Sequence, residues 1–207
     1  MKLTRDQVLA GALTLLDEVG IDNLTMRRLA TALGVQNGAT YWHFRSKQAL
    51  LASMAEAMLT DLTTGLDRTR PWPEQLTELA NRLHRTLLAH RDGARIFAGV
   101  FFPLPNALAY GDTMIGLLRT AGLAVREAAW AVDTLTYYVV GHTIEEQLAA
   151  DLPGTGDPAL AQLADAVTAE RYPNLAAAIE HIPAPHPPEH FDYGLRLLIN
   201  GLRAEKT

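Results

Sequence analysis

The sequence predicts an all-α chain, with an N-terminal three-helix domain followed by a larger helical body. Successive N-terminal segments carry a side-chain cap at their start, apolar residues at helical spacing and a glycine at or near their end. Proline and glycine divide the remainder into stretches each long enough for a helix. A composition of 48% hydrophobic and 20% charged residues over 207 positions suits one or two globular domains with ample core, and excludes a disordered tail.

"TRDQVLAGALTLLDEVG" opens with Thr4 and Gln7 in capping-box spacing, sets Val8, Ala12, Leu15, Leu16 and Val19 on one stripe and stops at Gly20. Gly11 interrupts that helix at about 1 kcal/mol relative to alanine and marks close packing against a neighbour. "LTMRRLATALG" is a short helix capped by Thr25, with Met26, Leu29, Ala30 and Leu33 inward and a stop at Gly34. A second short helix follows from about Gln36 to His43, and Ser46 caps a long helix beginning "KQALLASMAEAMLTDL". The domain limits are drawn at 1–47 for the three-helix unit, 48–66 for a connecting helix and 67–207 for the body.

In the body, helices are predicted from about Pro73 to His90, around Ala94 to Phe101, from Ala107 to Thr120 and from Val125 to Ala150. A helical stretch ending near Ile182 and a final helix from Pro188 to Ala204 complete it, with "IPAPHPPEH" as an extended connector. The last helix carries Phe191, Leu195, Leu198, Ile199 and Leu202 on one stripe, and the helix from Val125 carries Val132, Leu135, Tyr138 and Val139.

The chain has no cysteine, so disulfide frameworks and thiolate metal sites are excluded and a reducing compartment is expected. The N-terminus lacks a signal-peptide pattern, and no stretch approaches the roughly 20 apolar residues of a membrane span, so a cytoplasmic protein with no membrane partner is expected. Net charge is −5, yet Asn23 to Ala55 holds four cations (Arg27, Arg28, Arg45, Lys47) and no acid. That window is +4 and the rest −5 − 4 = −9, a local basic patch on an acidic body.

The patch surrounds an unusual run, Tyr41-Trp42-His43-Phe44, flanked by polar residues that cannot all be buried. Two short helices separated by a glycine turn and backed by a longer one form a helix-turn-helix, whose second short helix lies in the DNA major groove. On that helix Asn37 and Tyr41 are four apart, as are Gly38 and Trp42, so they share an outward face while Val35, Ala39 and Phe44 pack inward. Asparagine can bond adenine bidentately, Tyr41 and Trp42 offer polar and apolar edges to phosphate and sugar, Lys47 can neutralise a phosphate and Arg27 can reach a guanine edge.

"LTMRRLATALGVQNGATYWHFRSKQALL" resembles the DNA-binding domain of the TetR family of repressors, and "LLAHRDGAR" at 87–95 resembles the tetracycline repressors within it. The resemblance implies a ligand-responsive repressor, not an enzyme, that binds a palindromic operator in double-stranded DNA as a homodimer. By position it places DNA contacts on Thr25, Arg27, Asn37, Gly38, Tyr41, Trp42, His43 and Lys47, with Asn37 and Gly38 replacing the glutamine and proline of tetracycline repressors. It also implies that the helix from Val125 and the last helix pair with their copies as a four-helix bundle.

Over the body the same alignment puts apolar residues where tetracycline repressors hold drug and magnesium. Phe97 replaces the magnesium-ligating histidine, Val100 and Phe101 replace threonine and arginine, and Leu79, Leu83 and Met114 replace asparagine, phenylalanine and glutamine. A pocket histidine falls near Thr63, and Glu145 matches an acid contributed by the partner subunit. The effector is therefore expected to be a small apolar molecule, bound without a metal or cofactor in a pocket lined by Leu79, Leu83, Phe97, Val100, Phe101, Met114 and Tyr138.

The competing reading is a helical small-molecule or metal-binding protein with an incidental helix-turn-helix. His142 and Glu145 are three apart on one helix, and His84 and His90 lie on another. A lone His-x-x-Glu is ordinarily a surface or hydrogen-bonded pair. The chain has no phosphate loop, nucleophile elbow or HExxH motif.

Overall fold

The computed structural model describes residues 3–99, 103–150, 158–182 and 188–204. Among these residues there are helices and turns and no strand. In order they are α1 (Arg5–Asn23), α2 (Met26–Ala32), α3 (Asn37–His43), α4 (Lys47–Met58), α5 (Trp72–Leu88), α6 (Gly93–Ala98), α7 (Pro105–Thr120), α8 (Val125–Ala150), α9 (Pro158–Ala166), α10 (Pro173–Ala178) and α11 (Pro188–Ala204).

The capping chemistry works as the sequence predicts. Thr4 and Gln7 form the reciprocal box, Thr25 accepts from the Arg28 N–H, and Ser46 accepts from the Ala49 N–H. Gly20 leaves the helical region at φ 73°, after which one further turn runs to Asn23. Gly11 packs against the Leu33 side chain, where an added methyl would stand 2.6 Å from Leu33 Cδ2.

Two cores organise the molecule. The head core joins Val8, Leu15 and Leu16 of α1, Leu24, Met26 and Leu29 around α2, Phe44, and Leu50, Met54 and Met58 of α4. Ile96 of α6 belongs to this head core. The body core joins α5, α7, α8 and α11, and takes in the predicted stripes through Val132, Leu135 and Val139 of α8 and Phe191, Leu195 and Ile199 of α11.

Two element boundaries differ from the sequence reading. The connecting helix predicted over 48–66 ends at Met58, and Leu59 to Gly65 form turns. Thr63, Thr64 and Gly65 are weak helix formers, and Arg82 of α5 takes the carbonyls of Leu62 and Thr64 at 3.0 and 2.7 Å, rewarding a non-helical path. The helical stretch predicted up to Ile182 is two helices, α9 and α10, separated at 167–172. Pro173, which lacks an amide hydrogen, starts the second.

Candidate nucleic-acid interface and effector core

α3 packs through buried Thr40 and half-buried Ala39, while Phe44 at its C-terminal cap is buried beneath the Arg5 guanidinium, 4.7 Å from the ring centre. That packing turns the rest of the run outward. Trp42 is 90% exposed and Tyr41 45%, with Asn37 and Gly38 exposed on the same helix and His43 half-buried. Thr25 and Arg27 are exposed at the start of α2. A methyl added to Gly38 would meet nothing within 4 Å, so the fold itself does not require a glycine there.

Two of the predicted DNA contacts carry internal bonds as well. The Thr25 hydroxyl caps α2, and Lys47 Nζ donates to the Ile21 carbonyl at 3.0 Å, tying α4 to the end of α1. Thr40 went unnoticed in the sequence. Its hydroxyl donates to the Asn37 carbonyl at 2.9 Å, so a polar residue can occupy the buried face of a two-turn helix.

The head is laced to the body by charged bonds. Asp92, in the left-handed region at φ 56°, accepts from the Ile21 N–H at 2.8 Å. Arg95 of α6 donates two bonds of 3.0 Å to the Asp22 carboxylate and one of 2.8 Å to Asp92. The Arg95 guanidinium holds the Asp22 carboxyl below its ordinary range, chiefly through the hydrogen bond. Asp17 meets His90 Nδ1 at 3.1 Å and accepts from the Arg91 N–H at 2.9 Å. On the other side of α6, the Gln147 side chain of α8 donates to the carbonyls of Leu87 and His90 and accepts from the Ala94 N–H. α6 is thus clasped between the head and α8.

Five of the predicted effector residues share one apolar cluster. Leu79, Leu83 and Met114 are fully buried, and Phe97 and Tyr138 pack against the same core. Thr63 is half-buried in the turn after α4, and Glu145 is exposed on α8. Val100 and Phe101 lie outside the described residues. Tyr138 has a bond of its own, donating to the Phe191 carbonyl at 2.8 Å. Tyr110 was not among the predicted residues, yet its hydroxyl sits in this core and donates to the Leu79 carbonyl at 3.3 Å. Burial pushes the Tyr110 phenol above its ordinary value, so it stays a neutral donor.

A second, polar cluster stands where α5, α8 and α11 meet. The sequence pairs His142 with Glu145, but one residue further along is one helical turn from His142, and it is Glu146 that reaches it. Glu146 Oε2 lies 2.5 Å from His84 Nε2 and 3.3 Å from His142 Nδ1. His142 Nε2 meets His190 Nδ1 at 3.0 Å, and the His84 ring stacks on Phe191 with centres 3.9 Å apart. Desolvation pushes the His142 imidazole below its ordinary value, against the opposite pull of Glu146.

Two family models cover most of the chain. The model "Bacterial regulatory proteins, tetR family" matches residues 8–54, and "Tetracyclin repressor-like, C-terminal domain" matches 65–206. The class C tetracycline repressor protein of Escherichia coli is 39% identical over 204 residues, covering 97% of this chain and 91% of the relative. A Streptomyces coelicolor A3(2) structure described as a possible TetR family transcriptional regulator superposes at TM-score 0.88 with 45% identity, over 97% of this chain and 99% of the other. The Streptomyces coelicolor TetR family protein ActR in complex with actinorhodin superposes at 0.86 with 31% identity, over 100% and 99%. A three-helix head with exposed aromatic side chains on α3, joined to a helical body and matched along both parts, identifies the chain as a ligand-responsive transcriptional repressor of the TetR family.

Proposed function

We propose that this chain represses transcription as a homodimer that reads a palindromic operator through α3 and leaves it when a small apolar molecule enters the body core. The observation that carries the DNA reading is the exposure of Trp42, Tyr41, Asn37 and Gly38 together on one short helix, in a 33-residue window with four cations and no acid. Asn37 and Arg27 read base edges. Thr25, Tyr41, Trp42, His43 and Lys47 hold the backbone, and Gly38 admits close approach.

An apolar effector is favoured by the chemistry of the core. A tetracycline–magnesium chelate placed among Leu79, Leu83, Phe97 and Met114 would leave several polar groups unsatisfied, each costing about 1–3 kcal/mol. An apolar guest gains about 25 cal/mol for each Å² withdrawn from water, and Met114 can adapt to its outline. Tyr110 supplies one polar handle, because its long bond to Leu79 can be exchanged for a bond to the guest. Since the core is packed, the guest must part α5, α7 and α8, which displaces α6 and the Arg95 and Asp92 contacts to the head.

The test is DNA binding by the purified protein with and without candidate effectors. Hydrophobic compounds that raise the unfolding temperature should also release the operator, and tetracycline with magnesium should do neither. Tight, magnesium-dependent tetracycline binding would overturn the apolar assignment. A Tyr110→Phe variant, which removes the polar handle without adding bulk, should keep operator binding and weaken the response.

A further inference from the structure

We propose that His84, His142 and Glu146 form a binding site for a divalent transition-metal ion of the zinc class, separate from the apolar core and bridging α5 and α8. His84 Nε2, His142 Nδ1 and a Glu146 carboxylate oxygen all lie within 4.8 Å of one another. Ligand atoms around a tetrahedral zinc at about 2.1 Å stand about 3.4 Å apart, so an ion is held when the two ring nitrogens draw together from within 4.8 Å and the Glu146 oxygen moves back from its 2.5 Å contact with His84. Two imidazoles and one carboxylate are a nitrogen-and-oxygen set suited to zinc and its neighbours rather than to magnesium or calcium.

The arrangement around the triad has the features of a built site. Both imidazole nitrogens face the same oxygen, Glu146 Oε2, at 2.5 and 3.3 Å. Without an ion, both contacts need a proton; a cation satisfies all three groups through their lone pairs. His142 would then carry its proton on Nε2 and donate it to His190 Nδ1 at 3.0 Å, an outer partner that fixes ring and tautomer together. Phe191 holds the plane of the His84 ring by stacking on it. Glu146, alone of the three, also lines a groove of about 240 Å³ beside His90, Ile144 and Leu148. Bound there, the ion would pin α5 to α8 beside Gln147, the side chain that clasps α6.

The experiment titrates chelator-treated full-length protein with Zn²⁺ against a chromophoric chelator, and with Co²⁺ by visible absorption. The expected result is one ion per chain with a Kd below about 1 µM and a Co²⁺ spectrum of four- or five-coordinate type. Glu146→Gln and His84→Gln should each abolish that site, and His190→Ala should weaken it by about tenfold to a hundredfold. His181→Gln, which alters an exposed histidine outside the triad and the groove, should leave it intact. Circular dichroism and thermal unfolding confirm that each variant is folded. Binding weaker than about 100 µM, or affinity unchanged by both Glu146→Gln and His84→Gln in folded protein, would overturn the site. Neither readout involves DNA or an organic effector, so failure here leaves the repressor reading untouched.

Discussion

Trp42 keeps a large ring almost wholly in water, on a helix that buries only Thr40, which is an arrangement that makes sense when a partner covers it. Arg27→Ala and Asn37→Ala should each relax base preference at one operator position by about 1–3 kcal/mol, measured by titration against single-base variants. A uniform loss across the variants would instead place that side chain on the phosphates. Lys47→Ala should weaken all sequences alike and lower the salt slope by about 1, and its bond to Ile21 predicts a loss of head stability besides. Gly38→Ala should stabilise the head by about 0.5 kcal/mol, since the added methyl meets nothing there, so any loss of operator affinity reports crowding against DNA. The outward placement of Asn37, Gly38, Tyr41 and Trp42 is readable from sequence because it follows from helical spacing on α3, whereas the DNA contacts as a set rest on the family resemblance. The double duty of Lys47 is not readable there, because its acceptor lies 26 residues away.

Helices were foreseen where caps and breakers mark them. Thr4, Thr25 and Ser46 fix three starts, and the bounds of α8 and α11 agree with the sequence. The end of α4 was missed because it depends on Arg82, a side chain from another element, taking two backbone carbonyls. The His84–Glu146 contact was missed for the same reason, since its partners are 62 residues apart and the local pattern pointed to Glu145 instead. The α5–α6 elbow gives a sharp test. A methyl on Gly93 would collide with the Leu87 backbone carbonyl, which cannot move aside as a side chain can. Gly93→Ala should therefore destabilise the protein by about 2–3 kcal/mol in chemical denaturation, whereas Gly111→Ala, with open space around it, should be neutral or stabilising.

α8 and α11 each bury one stripe in the body and leave another outside. Trp130 and Tyr137, seven apart on α8, are 62% and 71% exposed, and Tyr193 and Leu197, four apart on α11, are 54% and 53% exposed. Two antiparallel copies of such a face make a self-complementary four-helix contact, the interface type expected of a twofold dimer. Tyr137→Glu combined with Leu197→Arg should yield a folded monomer by light scattering and abolish specific operator binding while leaving the head intact. A dimer that survives both changes would place the interface elsewhere. The head is held to its body by two matched pairs, Asp17 with His90 and Asp22 with Arg95, and by the Ile21 N–H bonded to Asp92. That lacing limits portability. A chimera made by transplanting a foreign head onto this body would fold and still be deaf to the effector unless its own α1 brought acids to positions 17 and 22, so the natural recombination joint of this protein is a set of side chains and not a point along the chain.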